Sequence, residues 1–186
     1  MAAHQILNYR TINRPRGWIV ANEPEQVIFQ NQQTPFQFKD SFITKIADYK
    51  IKARVLSTER YWLGEMAQLA PVDVAVGWKE MSDTAVIDKL TISQADRFYF
   101  YGWKDKDLID PRRVANSSAN MHLIPANKWI DDQIKILRIG HVVTLTGQLI
   151  NLQLSDGQVI KSSVTREDSG PGACELMWVT NIEIVD

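Results

Sequence analysis

The stretch Tyr49-Lys50-Ile51-Lys52-Ala53-Arg54-Val55-Leu56-Ser57 alternates apolar and polar side chains, the period of a strand with one wet face. A short helical turn is predicted around Glu65 to Leu69, and Pro71 then opens the run Val72-Asp73-Val74-Ala75-Val76-Gly77-Trp78, which reads as a strand or as an irregular buried loop. Ser82 is placed to cap a short helix across Asp83 to Leu90. The aromatics of Arg97-Phe98-Tyr99-Phe100-Tyr101-Gly102-Trp103 predict a strand. Asn116 to Asn120 reads as a polar loop, and Met121 to Pro125 as a short extended piece. Asn127 caps a predicted helix to about Leu137, with Trp129, Ile130, Ile134 and Leu137 at helical spacing and Gly140 after the last turn. His141 to Leu154 is a long strand bent at Gly147. Asp156-Gly157 signals a turn, Gln158 to Thr165 returns, and Ala173 to Thr180 is a further strand with Ile182 to Val185 as an edge.

This order predicts a mainly β protein. A helix between the third and fourth strands fits a small five-stranded Greek-key β-barrel, OB-like, of the oligonucleotide/oligosaccharide-binding type, with one or two short helices. Another small barrel or a sandwich is the alternative. Residues 1–40 carry Pro15, Pro24, Pro35 and the polar run Gln30-Asn31-Gln32-Gln33, so they read as an extended N-terminal arm. Residues 41–186 are expected to form a single domain.

Composition narrows the function classes. In 186 residues, 45% are hydrophobic and 23% charged, which excludes a disordered or collagen-like chain. Lys and Arg number 21 against 22 Asp and Glu. That balance argues against nucleic acid, whose binders usually carry a basic excess to neutralise phosphates. Cys174 is the single cysteine, so no intrachain disulfide forms. No apolar run is long enough to span a bilayer, and Met1-Ala2-Ala3-His4-Gln5 lacks a signal-peptide core.

Six blocks come in one order: residues 51–58 (IKARVLST), 69–83 (LAPVDVAVGWKEMSD), 92–103 (ISQADRFYFYGW), 117–126 (SSANMHLIPA), 140–149 (GHVVTLTGQL) and 162–179 (SSVTREDSGPGACELMWV). Together they resemble a family of uncharacterised bacterial proteins over roughly residues 18–180. Members often begin with a hydrophobic signal or anchor, which this chain lacks. The resemblance implies the soluble part of an envelope protein facing the bacterial periplasm, or anchored in the membrane and facing it. A cytoplasmic location stays open. The resemblance implies no chemistry.

Several constellations can carry chemistry. Cys174 with His122 or His141 would make a thiol nucleophile and its base, oriented by Asp168 or Glu175. The structural alternative is Cys174 as a small buried hydrophobe, with His141 on the surface. Ser162 to Gly172 gathers hydroxyls, Arg166, Glu167 and Asp168 at one hairpin end. Arg166 offers a forked donor to a carboxylate or phosphate, or simply pairs with Asp168. Ser117, Ser118 and Asn120 precede His122, either to hold a polar ligand or to close a turn. Asp73, inside an apolar run, needs a partner such as Arg97, Arg54 or backbone amides. Phe98 and Phe100 alternate against Tyr99, Tyr101 and Trp103, so one face enters the core and the other is available for stacking. His4, His122, His141 and Cys174 show no zinc spacing, and Asp105, Asp107 and Asp110 lack the glycine and glutamate of a calcium loop.

From residues alone, the leading expectation is a non-enzymatic binding or interaction module of the cell envelope, without cofactor or metal. Its ligand face would join Asn120, His122, Arg166 and Asp168, with Tyr99 or Tyr101 nearby. The partner would be an envelope protein or a small polar ligand, with the membrane reached only through an N-terminal segment absent here. The alternative is a Cys/His-dependent hydrolase or transferase using Cys174 and His122.

Overall fold

The computed structural model describes residues 10–104, 110–165 and 173–185. Arg166 and Asp168 lie outside the described residues, as do Asp105 and Asp107. In chain order the elements are β1 (Glu25–Ile28), β2 (Phe36–Phe38), β3 (Ser41–Arg60), α1 (Glu65–Leu69) and β4 (Val72–Gly77). A 3₁₀ turn (Lys79–Ser82), α2 (Thr84–Ile87), β5 (Leu90–Ala95), β6 (Phe98–Trp103), α3 (Pro111–Ala115) and β7 (Ser118–Pro125) follow. The chain ends in α4 (Lys128–Lys135), β8 (Val142–Gln153), β9 (Val159–Lys161) and β10 (Glu175–Val185).

The protein is mainly β, and its principal sheet closes on itself. β3 pairs antiparallel with β8 over Phe42 to Arg54 and with β4 over Arg54 to Arg60. β4 pairs antiparallel with β7, β7 parallel with β10, and β10 antiparallel with β8. The ring is therefore β3-β4-β7-β10-β8 and back to β3. It is uneven, because β3 is 20 residues long and β4 only six. Register breaks at Lys45/Ala47 and Val55/Ser57 let β3 turn from one neighbour to the other. The segment expected as an arm adds β1 and β2 to the outer edge of β3.

Period-two alternation fills the ring. Val72, Val74 and Val76 of β4, Met121 and Leu123 of β7, Leu145 and Leu149 of β8 and Met177 and Val179 of β10 share one core with Ile51, Ala53 and Val55 of β3. α4 sends Ile130 and Ile134, and Leu137 beyond it, into the same core. The Asn127 side chain accepts the Ile130 N–H at 3.0 Å and starts that helix. Trp129, counted with the helical stripe in the sequence, instead points outward at 55% exposure.

Two differences from the sequence expectation shape the site. The helix predicted over 83–90 stops at Ile87, and β5 then pairs with β6 in a separate hairpin. Its two-residue turn, Asp96-Arg97, has φ of 51° and 70°. Such a turn normally uses Asn-Gly, so the hairpin carried no turn signal. Residues 116–120 were expected as a loop, yet Ser118, Ala119 and Asn120 are buried strand residues in β7. Their polar side chains face the hairpin rather than solvent.

The candidate thiol–imidazole site under the β5–β6 hairpin

Strand register gathers the site. Asp73 of β4 stands opposite His122 of β7, and Ala75 opposite Asn120. Leu176 of β10 lies beside His122, so Cys174, two residues earlier, falls on the same face as Asn120 and His122. This is the outer face of the ring wall, since Val72, Val74, Met121 and Met177 fill the inside. The hairpin covers it by packing Tyr99, Tyr101, Trp103 and Ile92 on Leu56, Ala75, Met81, Leu90 and Val114. The tyrosine face of β6 therefore turns inward, while Phe98 and Phe100 are exposed at 36% and 51%.

Asp73 has no exposed surface. Burying a carboxylate costs several kcal/mol unless cations and hydrogen bonds compensate. Arg97 reaches from the hairpin turn and donates from Nη1 to Asp73 Oδ1 at 2.7 Å. His122 Nδ1 lies 2.9 Å from Asp73 Oδ2, an ion-pair contact. Arg97 also donates to the Ala70 carbonyl at 2.9 Å and lies over the Tyr61 ring, 3.8 Å from its centroid. The Tyr61 hydroxyl in turn accepts the Arg97 backbone N–H at 2.8 Å. Two successive left-handed residues thus aim one arginine at the buried acid.

The thiol sits on the other side of the imidazole. His122 meets the Cys174 thiol as well as the Asp73 carboxylate. Burial alone would lower the pKa of the imidazole, but Asp73 and Cys174 outweigh it and raise the value to about 9. Cys174 is half-buried. Its Sγ accepts from Asn120 Nδ2 at 3.5 Å and stands 3.7 Å from the Arg97 carbonyl oxygen. Asn120 Nδ2 also donates to that carbonyl at 2.9 Å, and its Oδ1 accepts from Gln94 Nε2 at 2.7 Å. Arg97 therefore organises the site twice, through its guanidinium and through its carbonyl.

Above the sulfur is a pocket of about 280 Å³, lined by Cys174, Asn120, Ser118, Tyr99 and Tyr101 among others. A larger cleft of about 690 Å³ lies between the 61–71 segment and α4, with Tyr61 and Trp62 on its wall. It contains no cysteine or histidine. Among the described residues, no group of His, Cys, Asp and Glu is arranged to hold a metal ion. No helix among them is long and apolar enough to cross a membrane.

Of the residues singled out in the sequence, Cys174, His122, Asn120, Tyr99 and Tyr101 come together. The acid beside His122 is Asp73 and not Glu175, while Asp168 lies outside the described residues. Glu175 is buried in register with Met121, on the opposite face of β10 from Cys174. His141 is buried, not on the surface, and its Nδ1 accepts the Arg138 backbone N–H at 3.3 Å at the entry to β8. Ser82 does not cap α2. Asp83 does, accepting the Ala85 N–H at 2.8 Å. Sequence reasoning missed Gln94, Tyr61 and the double role of Arg97. The available signal was the lone carboxylate at Asp73, which demanded cations on its own face.

Sequence profiles of known families, curated proteins and solved structures were compared with the chain, and none matches it.

Proposed function

We propose that the protein is a cysteine-dependent acyl hydrolase or transferase in which Cys174 is the nucleophile, His122 its proton partner and Asp73 a positioning residue. The observation that carries this reading is the continuous Asp73–His122–Cys174 contact, whose cysteine lines a pocket. A thiol needs an adjacent base to become a thiolate, and the base needs a third group to orient it. Asp73 supplies that orientation from a position where it cannot rotate away, because Arg97 holds its other oxygen.

In the reacting state the thiol proton passes to His122. Sγ attacks the carbonyl carbon of an ester, thioester or amide, and the bond to the leaving group breaks. His122 gives its proton to that leaving group. Water then attacks the thioester carbon and returns a proton through His122, releasing the acid and the free thiol.

Alkylation by iodoacetamide, followed by mass spectrometry, tests the reading. Native Cys174 is expected to react near neutral pH about a hundredfold faster than in His122→Gln. Near-UV circular dichroism checks that the variant stays folded. A native rate no higher than that of the variant overturns the assignment.

The envelope-module reading keeps separate support. The ring order β3-β4-β7-β10-β8, the parallel β7–β10 pair and α4 between the third and fourth ring strands suit an OB-like Greek-key barrel. On that reading Asn120 and His122 hold a polar ligand without turnover. The family resemblance favours a bacterial, periplasm-facing setting, which fractionation of cells expressing the native gene checks. Stoichiometric ligand capture that persists in Cys174→Ala supports the module over the enzyme.

A further inference from the structure

The pocket over Cys174 has a distinctive chemistry. β6 supplies the rings of Phe98, Phe100 and Tyr101, and Ala115 and Ala173 are small residues of the same lining. Among the described residues, no Asp, Glu, Lys, Arg or His lines it. Tyr99 is held neutral by burial, which pushes its phenol well above the ordinary value. The polar groups on the wall are neutral amides and hydroxyls, and Asn120 is already committed to Gln94 and the Arg97 carbonyl.

Resting on the assignment of Cys174 as nucleophile, we propose that the group transferred to its sulfur is an uncharged, apolar acyl group, seated in the pocket lined by the β6 rings, Ala115 and Ala173. An apolar group gains by leaving water and by packing on aromatic faces. A charge at its far end would be stripped of water with no counter-charge among the described residues, a cost that favours exclusion. The His122 charge does not alter this selectivity, since it lies at the reacting end, beside the sulfur.

Three iodoacetamides that differ only in the N-substituent provide the test: methyl, benzyl and 4-carboxybenzyl. Each forms the same S–C bond with loss of iodide, so the leaving chemistry is constant. The benzyl reagent is expected to alkylate Cys174 about tenfold faster than the methyl one, and the carboxybenzyl reagent about tenfold slower than benzyl. Rates are divided by those for glutathione to remove intrinsic reactivity. Phe100→Ala, at an exposed position that leaves the core intact, is expected to shrink the benzyl-to-methyl rate ratio. Fast, His122-dependent labelling without discrimination overturns the substrate class and leaves the nucleophile standing. Slow labelling by all three, unchanged in His122→Gln, overturns both.

Discussion

Asp73 Oδ2 approaches His122 Nδ1 to 2.9 Å from the neighbouring strand, directly across the β4–β7 pair. The contact follows from register alone, since the two residues are cross-strand partners on one face. The ring wall therefore fixes the acid and the imidazole before any loop contributes. What the hairpin adds is Arg97, which occupies the second carboxylate oxygen and stops the acid from leaving.

Replacing Asp73 by Ala leaves Arg97 and a protonated His122 without their shared anion in a buried place. The expected loss is about 3–5 kcal/mol of unfolding free energy. Arg97→Met should cost less, because the arginine side chain is only partly buried, a methionine there can still cover Tyr61, and Asp73 retains His122. Urea denaturation of the two variants measures the difference. An Asp73→Ala cost below about 1 kcal/mol is incompatible with a compensated buried charge.

The His122 imidazole is expected to titrate near 9 rather than 6.5. Its folded pKa is raised, so the stabilisation is fully present below about 6.5 and is lost as pH rises through about 9. The melting temperature should therefore fall across that window, and this component of the fall should vanish in His122→Gln. Histidine ring signals followed by NMR locate the midpoint directly. A midpoint near 6.5 removes the stated coupling to Asp73 and Cys174.

Gly147 is where β8 passes the bulge of β10. A Cβ there would lie 1.9 Å from the Trp178 carbonyl oxygen. Gly147→Ala is expected to destabilise by at least about 2–3 kcal/mol, because backbone on both strands must shift. Gly157, with φ of 88° and nothing within 4 Å of its added Cβ, is the control. Alanine there should cost only the left-handed penalty of about 1–2 kcal/mol. Equal costs in thermal melts would contradict the close approach.

Ser82 ties the segment before β1 to the body. Its Oγ accepts the N–H groups of Ile19 and Val20, both at 3.1 Å, from a fully buried position. Ser82→Ala leaves two donors without their acceptor, at about 1–3 kcal/mol. Limited proteolysis should then cut near residues 17–22 well before the native protein is cut there. Unchanged protection would mean that other contacts, such as Gly17 with Asp83, suffice.

Alternation in the chain determined that residues 49–57, 142–153 and 175–179 are strands and which of their side chains are apolar partners. An aspartate among valines also required a compensating partner nearby. These properties are local, set by side-chain period and by the cost of an unpaired charge. The hairpin was not legible, because Asp96-Arg97 adopts left-handed backbone without glycine. Polar residues 116–120 looked like a loop because burial under that hairpin cannot be inferred from them. The pairing of Asp73 with His122 and of His122 with Cys174 was decided only by tertiary structure. Those residues are far apart in sequence, and only closure of β4, β7 and β10 side by side brings one carboxylate, one imidazole and one thiol onto a common wall.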